Sequence, residues 1–290
     1  MIEGVLLKGY GGFYYVRAED RVWECSLRGR FRVRDQDFFP GDRVAILPGR
    51  KGATIEKVEP RRNVLVRPSV ANVDQALLVF AMTSPRPDLN LLDRLLIQVS
   101  GAGIKPFLIL TKFDLWTPAR EEEAVWQGYE RLGYLLARIS NKTGEGLEKV
   151  RPVLRGRISV LAGPSGAGKS SLTNLLVPGM ELKTGDVSRK LKRGRHTTRH
   201  VELFECEGGL VADTPGFSSL DLPAMKREEL VDFFPEMDPY RGLCRFKSCL
   251  HDQEPECAVK RAVARGEILP QRYEHYRQFL QEVIAAERRY

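Results

Sequence analysis

The chain has 290 residues, of which 42% are hydrophobic and 29% charged, a composition that excludes a disordered or fibrous protein. Its net charge of +8 favours a polyanionic partner, nucleic acid before an anionic membrane. No apolar run has the roughly 18 residues of a membrane span, and the first residues do not resemble a secretory signal. Five cysteines, an odd number, argue against a disulfide framework, so we expect a cytoplasmic protein without a membrane partner.

The first predicted domain covers residues 1–68 and carries a net charge of +5. Its short strand patterns cover residues 4–10, 12–18, 21–27, 41–47 and 53–59. Five strands in so short a segment predict a small all-β barrel, and an OB-fold is the favoured type. An SH3-like barrel or an irregular sheet would give the same strand pattern.

The second predicted domain covers residues 69–225 and alternates buried-strand patterns with helical ones. The strand patterns cover 75–82, 106–111, 157–163 and 209–216, and the helical patterns cover 89–100, 118–132 and 171–177. This alternation predicts a parallel sheet with helices on both faces. Residues 226–290 have no net charge and are predicted to be mainly α-helical, with a last helix near 270–289.

A phosphate-binding loop is predicted at residues 163–170, where GPSGAGKS matches the pattern G-x-x-x-x-G-K-[ST] between a strand and a helix. Glycines let successive backbone N–H groups point at phosphates, and the following helix adds its positive N-terminal end. Lys169 would reach the β- and γ-phosphates, and the Ser170 hydroxyl would ligate Mg²⁺. The predicted contacts are Gly163, Pro164, Ser165, Gly166, Ala167, Gly168, Lys169, Ser170 and Ser171.

Residues 111–114, Thr-Lys-Phe-Asp, resemble the N/T-K-x-D guanine motif of GTPases. The Asp114 carboxylate can accept hydrogen bonds from the guanine N1–H and from the exocyclic amine, whereas adenine offers no matching donors. The stem of Lys112 can lie along the base. A four-residue match is weak alone, but beside a phosphate loop it predicts that Thr111, Lys112 and Asp114 bind guanine.

Two further loops complete the predicted nucleotide site. Residues Ser140, Asn141 and Lys142 resemble the S-A-K loop that backs the base, with Asn in place of the usual Ala, and a plain polar loop is the alternative. Residues 213–216, Asp-Thr-Pro-Gly, resemble the D-x-x-G of a second switch. Asp213 would then hold the Mg²⁺ shell through water, and the N–H of Gly216 would meet the γ-phosphate.

The order of these motifs is unusual, because the base motif and the S-A-K-like loop precede the phosphate loop. The motifs are therefore circularly permuted, which a compact sheet tolerates when its original termini lie close together. A strand-rich first domain, a permuted GTPase domain and a Cys/His tail resemble the ribosome small-subunit-dependent GTPase A family of bacteria, as do residues 61–68 and 70–75.

This resemblance covers nearly the whole chain and has clear implications. It implies an OB-fold, a permuted GTPase domain and a zinc domain. It also implies a GTP hydrolase that binds the small ribosomal subunit and its rRNA, acts in late maturation of that subunit and is stimulated by it. GTP, GDP and Mg²⁺ would be its ligands, and we expect a monomer.

Residues 183–200 contain seven basic side chains and one acid. This composition is typical of a loop that becomes ordered only when it binds a ligand. By similarity to translation-associated GTPases, Thr198 is the predicted Mg²⁺ ligand, with Thr197 as the alternative. Phe217 follows the D-x-x-G motif and cannot orient water as a Gln would, so the resemblance points to His196 as the catalyst. An ordinary RNA-contacting role for His196 is the alternative.

Three of the five cysteines lie in the tail, where they and a histidine form the pattern C-x₄-C-x-H-x₅-C. Cys₃His is a tetrahedral zinc set that leaves no open position, so one structural Zn²⁺ is predicted on Cys244, Cys249, His251 and Cys257. Two other functions stay open at this stage: an RNA-binding module in which hydrolysis is incidental, and an ATP-using enzyme, against which the base motif argues.

Overall fold

The computed structural model describes residues 1–29, 37–50, 52–66, 68–117, 119–177, 179, 201–213 and 221–288. Its first unit is a closed barrel with the strand order β1-β2-β3-β5-β4. The strands are β1 (Ile2–Tyr10), β2 (Phe13–Ala18), β3 (Arg21–Leu27), β4 (Arg43–Pro48) and β5 (Ala53–Val58). Strands β3 and β5 pair in parallel, with Cys25 opposite Ala53, whereas the other pairs are antiparallel. The predicted five-stranded OB-type barrel is confirmed.

Side chains that alternate along the strands fill the barrel. Leu6, Val16, Cys25, Ile46 and Ile55 are fully buried inside it, because successive residues of a strand point to opposite faces. Their apolar surface is the core that a domain of this size needs.

A short hairpin joins the barrel to the second unit. It consists of β6 (Val64–Val66) and β7 (Ser69–Ala71), so the predicted boundary between 68 and 69 falls inside it. The buried Asn72 follows the hairpin and donates from its side chain to the carbonyl of Gly41 in the barrel, over 2.9 Å. This bond ties the hairpin to the barrel.

The second unit is a six-stranded sheet with the order β10-β9-β8-β11-β13-β12. Its strands are β8 (Gln75–Ala81), β9 (Lys105–Thr111), β10 (Leu135–Arg138), β11 (Ile158–Ala162), β12 (Glu202–Cys206) and β13 (Gly209–Asp213). All neighbours are parallel except β12, which pairs antiparallel with β13 through a two-residue turn. That turn, Glu207-Gly208, has positive φ at both positions, the geometry of a tight hairpin.

Helices cover both faces of the sheet, as predicted. The helices are α1 (Leu89–Gly101), α2 (Arg120–Arg131), α3 (Leu147–Leu154) and α4 (Lys169–Leu176). Leu92 and Trp126 pack α1 and α2 on one face, and Val150 and Leu172 pack α3 and α4 on the other. The sequence did not predict α3, because Pro152 inside it interrupts the helical pattern.

The third unit contains two 3-10 helices, Leu230–Phe233 and Pro235–Tyr240, followed by α5 (Ala258–Ala264) and α6 (Pro270–Glu287). Helix α6 begins at Pro270, where proline is favoured because an N–H at this position would have no acceptor within the helix. Phe234, Tyr276 and Phe279 form its core. Within the described ranges, the structure has no helix that is both long and apolar enough to span a bilayer.

Candidate nucleotide site and metal centre

The phosphate loop connects β11 to α4 and starts against a neighbouring strand. Gly163 has a φ of +134°, and a Cβ atom there would lie 2.1 Å from the carbonyl oxygen of Val79 on β8. Gly166 and Gly168 also have positive φ, which side chains disfavour. Three glycines are therefore needed for the chain to turn this tightly before α4 begins at Lys169.

The Lys169 ammonium group is held inside the loop. Its Nζ donates to the carbonyl oxygens of Gly163, over 2.8 Å, and of Pro164, over 2.7 Å. Burial lowers the pKa of Lys169 from the ordinary value of a lysine. Ser165, Gly166 and Ser170 are exposed, and Ala167 is buried. The loop thus encloses the Lys169 ammonium group, and the residues at its tip, Ser165 and Gly166, are exposed.

The base motif follows β9 and touches the phosphate loop. The Thr111 hydroxyl donates to the carbonyl oxygen of Ala167 over 2.6 Å. Lys112 adopts the left-handed conformation, and its ammonium group donates to the carbonyl of Ser84. Asp114 lies in the short 3-10 helix Phe113–Leu115 with its carboxylate exposed. This geometry leaves Asp114 accessible to a ligand.

The loop after β10 lies next to the base motif. Ser140 is fully buried, and its hydroxyl accepts from the backbone N–H groups of Lys142, over 3.2 Å, and Thr143, over 3.1 Å. The side chain of Asn141 donates to the carbonyl of Gly168 over 3.0 Å. Hydrogen bonds therefore shape this loop and attach it to the phosphate loop.

A cavity of about 250 Å³ opens where these three segments meet. It is lined by Lys112, Asp114, Leu115, Asn141, Lys142, Gly168 and Ser171. The segments are distant in sequence but follow parallel strands, whose carboxyl ends share one edge of the sheet. The motifs therefore form a single site even though their order in the sequence is permuted.

Several predicted site residues cannot be placed. His196, Thr197, Thr198 and Gly216 lie outside the described residues. The backbone of Asp213 ends β13, which pairs with β11, so its Cα lies at the same sheet edge as the phosphate loop.

The Cys/His cluster comes together in the third unit. Its four ligand atoms lie within 4.8 Å of one another. The Nδ1 atom of His251 is 3.5 Å from the sulfurs of Cys244 and Cys249 and 3.4 Å from that of Cys257, and the Cys244 and Cys257 sulfurs are 3.8 Å apart. A tetrahedral zinc site with ordinary bond lengths has sulfurs about 3.8 Å apart and a sulfur–nitrogen distance of about 3.5 Å. The four residues therefore fit a zinc ion.

The loop that carries these ligands is braced by hydrogen bonds. The Glu254 carboxylate accepts from the N–H groups of Leu250, over 2.7 Å, and Asp252, over 3.0 Å. Hydroxyls on α6 hold the same loop, since Tyr273 donates to the carbonyl of His251 and Tyr276 to that of Leu250. Burial lowers the pKa of His251, which favours the neutral imidazole that metals bind.

A buried charge network was not predicted from the sequence. Asp93 on α1 accepts from Arg272, from His275 over 2.6 Å and from Tyr129 over 2.8 Å. Arg272 also pairs with Glu236, and its side chain is 3% exposed. The network joins the second unit to the third. The only sign of this network in the sequence is Asp93, an acid within the apolar pattern of α1. Its partners lie far along the chain, so the sequence does not identify them.

Ion pairs also connect the barrel to the sheet. Lys8 of β1 pairs with Glu202 of β12 at 2.6 Å, and Arg17 of β2 pairs with Glu205 of β12 at 3.1 Å. Both acids lie on β12, which follows residues 183–200, the basic segment predicted to order only with a ligand. Sequence reasoning missed this contact, because partners on different units share no local pattern.

The sheet, the phosphate loop and the base loops define a circularly permuted P-loop GTPase. Residues 3–54 match the family model of the RsgA N-terminal domain, and residues 58–223 match that of the RsgA GTPase. The chain belongs to the RsgA GTPase family and is a GTP hydrolase. The resemblance found in the sequence is confirmed.

Curated relatives and solved structures agree with this assignment. A protein of Moorella thermoacetica named "Small ribosomal subunit biogenesis GTPase RsgA" is 53% identical over 99% of both chains. A protein of the same name from Geobacillus kaustophilus is 46% identical over the full length of both. The structure of YloQ, described as a circularly permuted GTPase, has a TM-score of 0.82 and 38% identity, and covers 99% of this chain and 96% of its own. YjeQ from Thermotoga maritima has a TM-score of 0.83 and 33% identity, with 98% of each chain covered.

Proposed function

We propose that this GTPase binds the small ribosomal subunit and acts in its late maturation, and that the subunit stimulates its hydrolysis of GTP. The observation that carries the proposal is full-length similarity, up to 53% identity, to proteins named for biogenesis of that subunit. The cytoplasm, where bacterial subunits assemble, is the proposed location, and the protein would act there as a monomer.

The proposed division of labour follows three domains, 1–68, 69–225 and 226–290. The barrel domain has a net charge of +5 and residues 183–200 have one of +6, so these two regions would contact rRNA phosphates. The guanine nucleotide would occupy the cavity at the sheet edge, because that cavity joins the phosphate loop to the base-reading carboxylate of Asp114.

Residues at the sheet edge would bind the Mg²⁺ that accompanies GTP in this family. Ser170 lies exposed in the first turn of α4, and the backbone of Asp213 ends β13, the neighbour of β11, so two residues of oxygen-bearing type lie at the phosphate-loop edge of the sheet. Oxygen ligands suit Mg²⁺, and Thr198 is the proposed third. The ion would neutralise charge on the phosphates.

His196 is the proposed group that orients the attacking water, since Phe217 replaces the usual Gln. The water oxygen would bond to the γ-phosphorus as the bond between that phosphorus and the β–γ bridging oxygen breaks, and GDP would leave with the bonding electrons. A proton of the water would pass to His196 and from there to solvent. Lys169 and the loop N–H groups would stabilise the charge on the phosphate oxygens.

The Cys/His cluster is proposed to hold one structural Zn²⁺. Four protein ligands leave no position for water or substrate, so the ion would brace the tail and take no part in hydrolysis.

The test is GTP turnover and binding, measured with purified small subunits and, as a control, with large subunits. Turnover should increase only with small subunits, and a non-hydrolysable GTP analogue should retain more of them on the immobilised protein than GDP does. His196→Ala should bind GDP normally but lose the stimulated turnover. Failure of small subunits to bind or to stimulate would refute the proposed function, whereas unchanged stimulation in His196→Ala would remove only the role of that residue.

A further inference from the structure

The base motif of this chain begins with a threonine and so carries a hydroxyl where N-K-x-D carries a carboxamide. A hydroxyl has a single hydrogen to donate. Thr111 is fully buried, and its Oγ1 lies 2.6 Å from the carbonyl oxygen of Ala167 and 3.4 Å from that of Phe80. Its hydrogen is thus committed to the protein backbone, and Thr111 has no donor left for a purine.

A carboxamide reaches the same place from the neighbouring loop. The Nδ2 atom of Asn141 lies 3.0 Å from the carbonyl oxygen of Gly168, one residue beyond the carbonyl that Thr111 contacts. A Cβ atom on Gly168 would lie 2.8 Å from that nitrogen, so the glycine makes room for the amide. Because an amide nitrogen carries two hydrogens, one stays available after this bond.

The other end of the amide argues against a purely structural role. The Oδ1 atom of Asn141 is buried, and the described residues provide it with no hydrogen-bond partner. Reversing the amide would place two oxygens 3.0 Å apart at Gly168, so the orientation is decided by that contact. Buried amides normally have partners at both ends, so contacts within the described residues do not account for the placement of this one.

Asn141 also lines the nucleotide cavity, together with Lys112 and Asp114. Guanine would direct its N1–H and amino donors toward the Asp114 carboxylate. Its remaining hydrogen-bonding edge consists of the acceptors O6 and N7. That edge requires a donor, and the second N–H of Asn141 is one that the cavity lining provides.

We propose that Asn141 replaces the carboxamide missing from the base motif. One of its N–H groups joins the base-backing loop to the phosphate loop at Gly168, and the other donates to the O6/N7 edge of guanine. Asn141 is thus a specificity-determining residue. The inference rests on the proposed guanine site. Within that site, Asn141 would recognise the O6/N7 edge, while Asp114 recognises the N1–H and amino groups.

The test measures dissociation constants of GDP, of 7-deaza-GDP, which lacks the N7 acceptor, and of 6-thio-GDP, in which a weakly accepting sulfur replaces O6 while N1–H is kept. The protein should bind GDP about five- to tenfold more tightly than at least one of the analogues, as expected for one lost hydrogen bond. Asn141→Ala should remove that preference. Asn90→Ala, which deletes a 2.9 Å amide bond to Gln278 outside the cavity, is the matched control and should retain it.

A second variant tests the replacement itself. Adding Thr111→Asn to Asn141→Ala returns a carboxamide to the base motif and should restore the lost preference. Equal analogue ratios in the parent protein and in Asn141→Ala overturn the inference, as does a failure of this rescue in a variant that still binds GDP. If the parent protein binds ADP as well as GDP, the guanine site itself is refuted, so the two failures are distinguishable.

Discussion

The nucleotide cavity and the Cys/His cluster differ in how the chain assembles them. The cavity takes its lining from three segments between residues 112 and 171, which follow strands β9, β10 and β11. The cluster takes all four ligands from residues 244–257, a stretch of turns and bends that contains no helix or strand.

The nucleotide cavity and the Cys/His cluster therefore depend on different sources of free energy. Strands β9 and β11 bury most of their side chains, and β10 pairs with β9, so the sheet and its hydrophobic core hold the cavity loops in place without a ligand. Residues 244–257 lack such a scaffold, and their geometry would depend on metal bonds. We therefore expect changes at one site to leave the other largely intact.

The largest expected effect is loss of the metal. Cys249→Ala should abolish zinc binding, because removing one thiolate from a structural site forfeits much of a binding free energy of about 10–16 kcal/mol. Zinc content and proteolysis of residues 226–290 are the measurements. Cys206→Ala, which removes a buried cysteine outside the cluster, should keep its zinc. If Cys249→Ala also lost GDP binding, the two sites would not be independent.

The next largest effect is expected at the buried charge network that connects the second unit to the third. Arg272→Met should lower the free energy of unfolding by about 3–5 kcal/mol, because it leaves the buried carboxylate of Asp93 without its cation. Arg277→Met on the same helix breaks a more exposed pair with Asp252 and should cost about 1 kcal/mol or less. Denaturant unfolding compares them, and equal losses would show that the buried network is not what joins the two units.

A change of base preference would isolate the nucleotide cavity. Asp114→Asn should weaken GDP binding about 100-fold and improve binding of xanthosine diphosphate. The single amide oxygen can accept from N1–H, which leaves the amide NH₂ opposite the guanine amine, a second donor, or opposite the xanthine O2, an acceptor. The nearby, exposed Glu145→Gln is the control and should change neither affinity. Zinc content should stay the same in both variants, and an unchanged base preference would move the base site elsewhere.

The smallest effect is the pH dependence of nucleotide binding. Burial lowers the pKa of Lys169, and the protonated amine is the form that attracts phosphate. GDP affinity should be highest at pH values below the lowered pKa of Lys169 and should fall as the pH rises through that pKa. The fall should therefore begin at a lower pH than the pH at which an ordinary lysine loses its proton. Lys169→Arg, which keeps its charge, should bind GDP with a flatter pH profile. Identical profiles would exclude Lys169 as the titrating group.

Much of this molecule could be predicted from local pattern. The barrel strands, the parallel strands β8, β9, β11 and β13, and helices α1, α2, α4 and α6 follow from hydrophobic periodicity. Strand β10 was missed because only one of its four residues is buried, and α3 because Pro152 disrupts its helical pattern. Strand β12 was missed because residues 202–206 carry two exposed or half-exposed acids, one of which pairs with Lys8 of the barrel.

The class of protein can be recognised in the sequence, because a phosphate loop, a base motif and a Cys₃His set each depend on residues a few positions apart. How these motifs meet depends on tertiary packing. Parallel strands bring Asn141 to Gly168, and packing of α6 on α1 brings Arg272 to Asp93. Such contacts pair residues that share no local pattern, so their partners appear only when the sheet and the helices have packed.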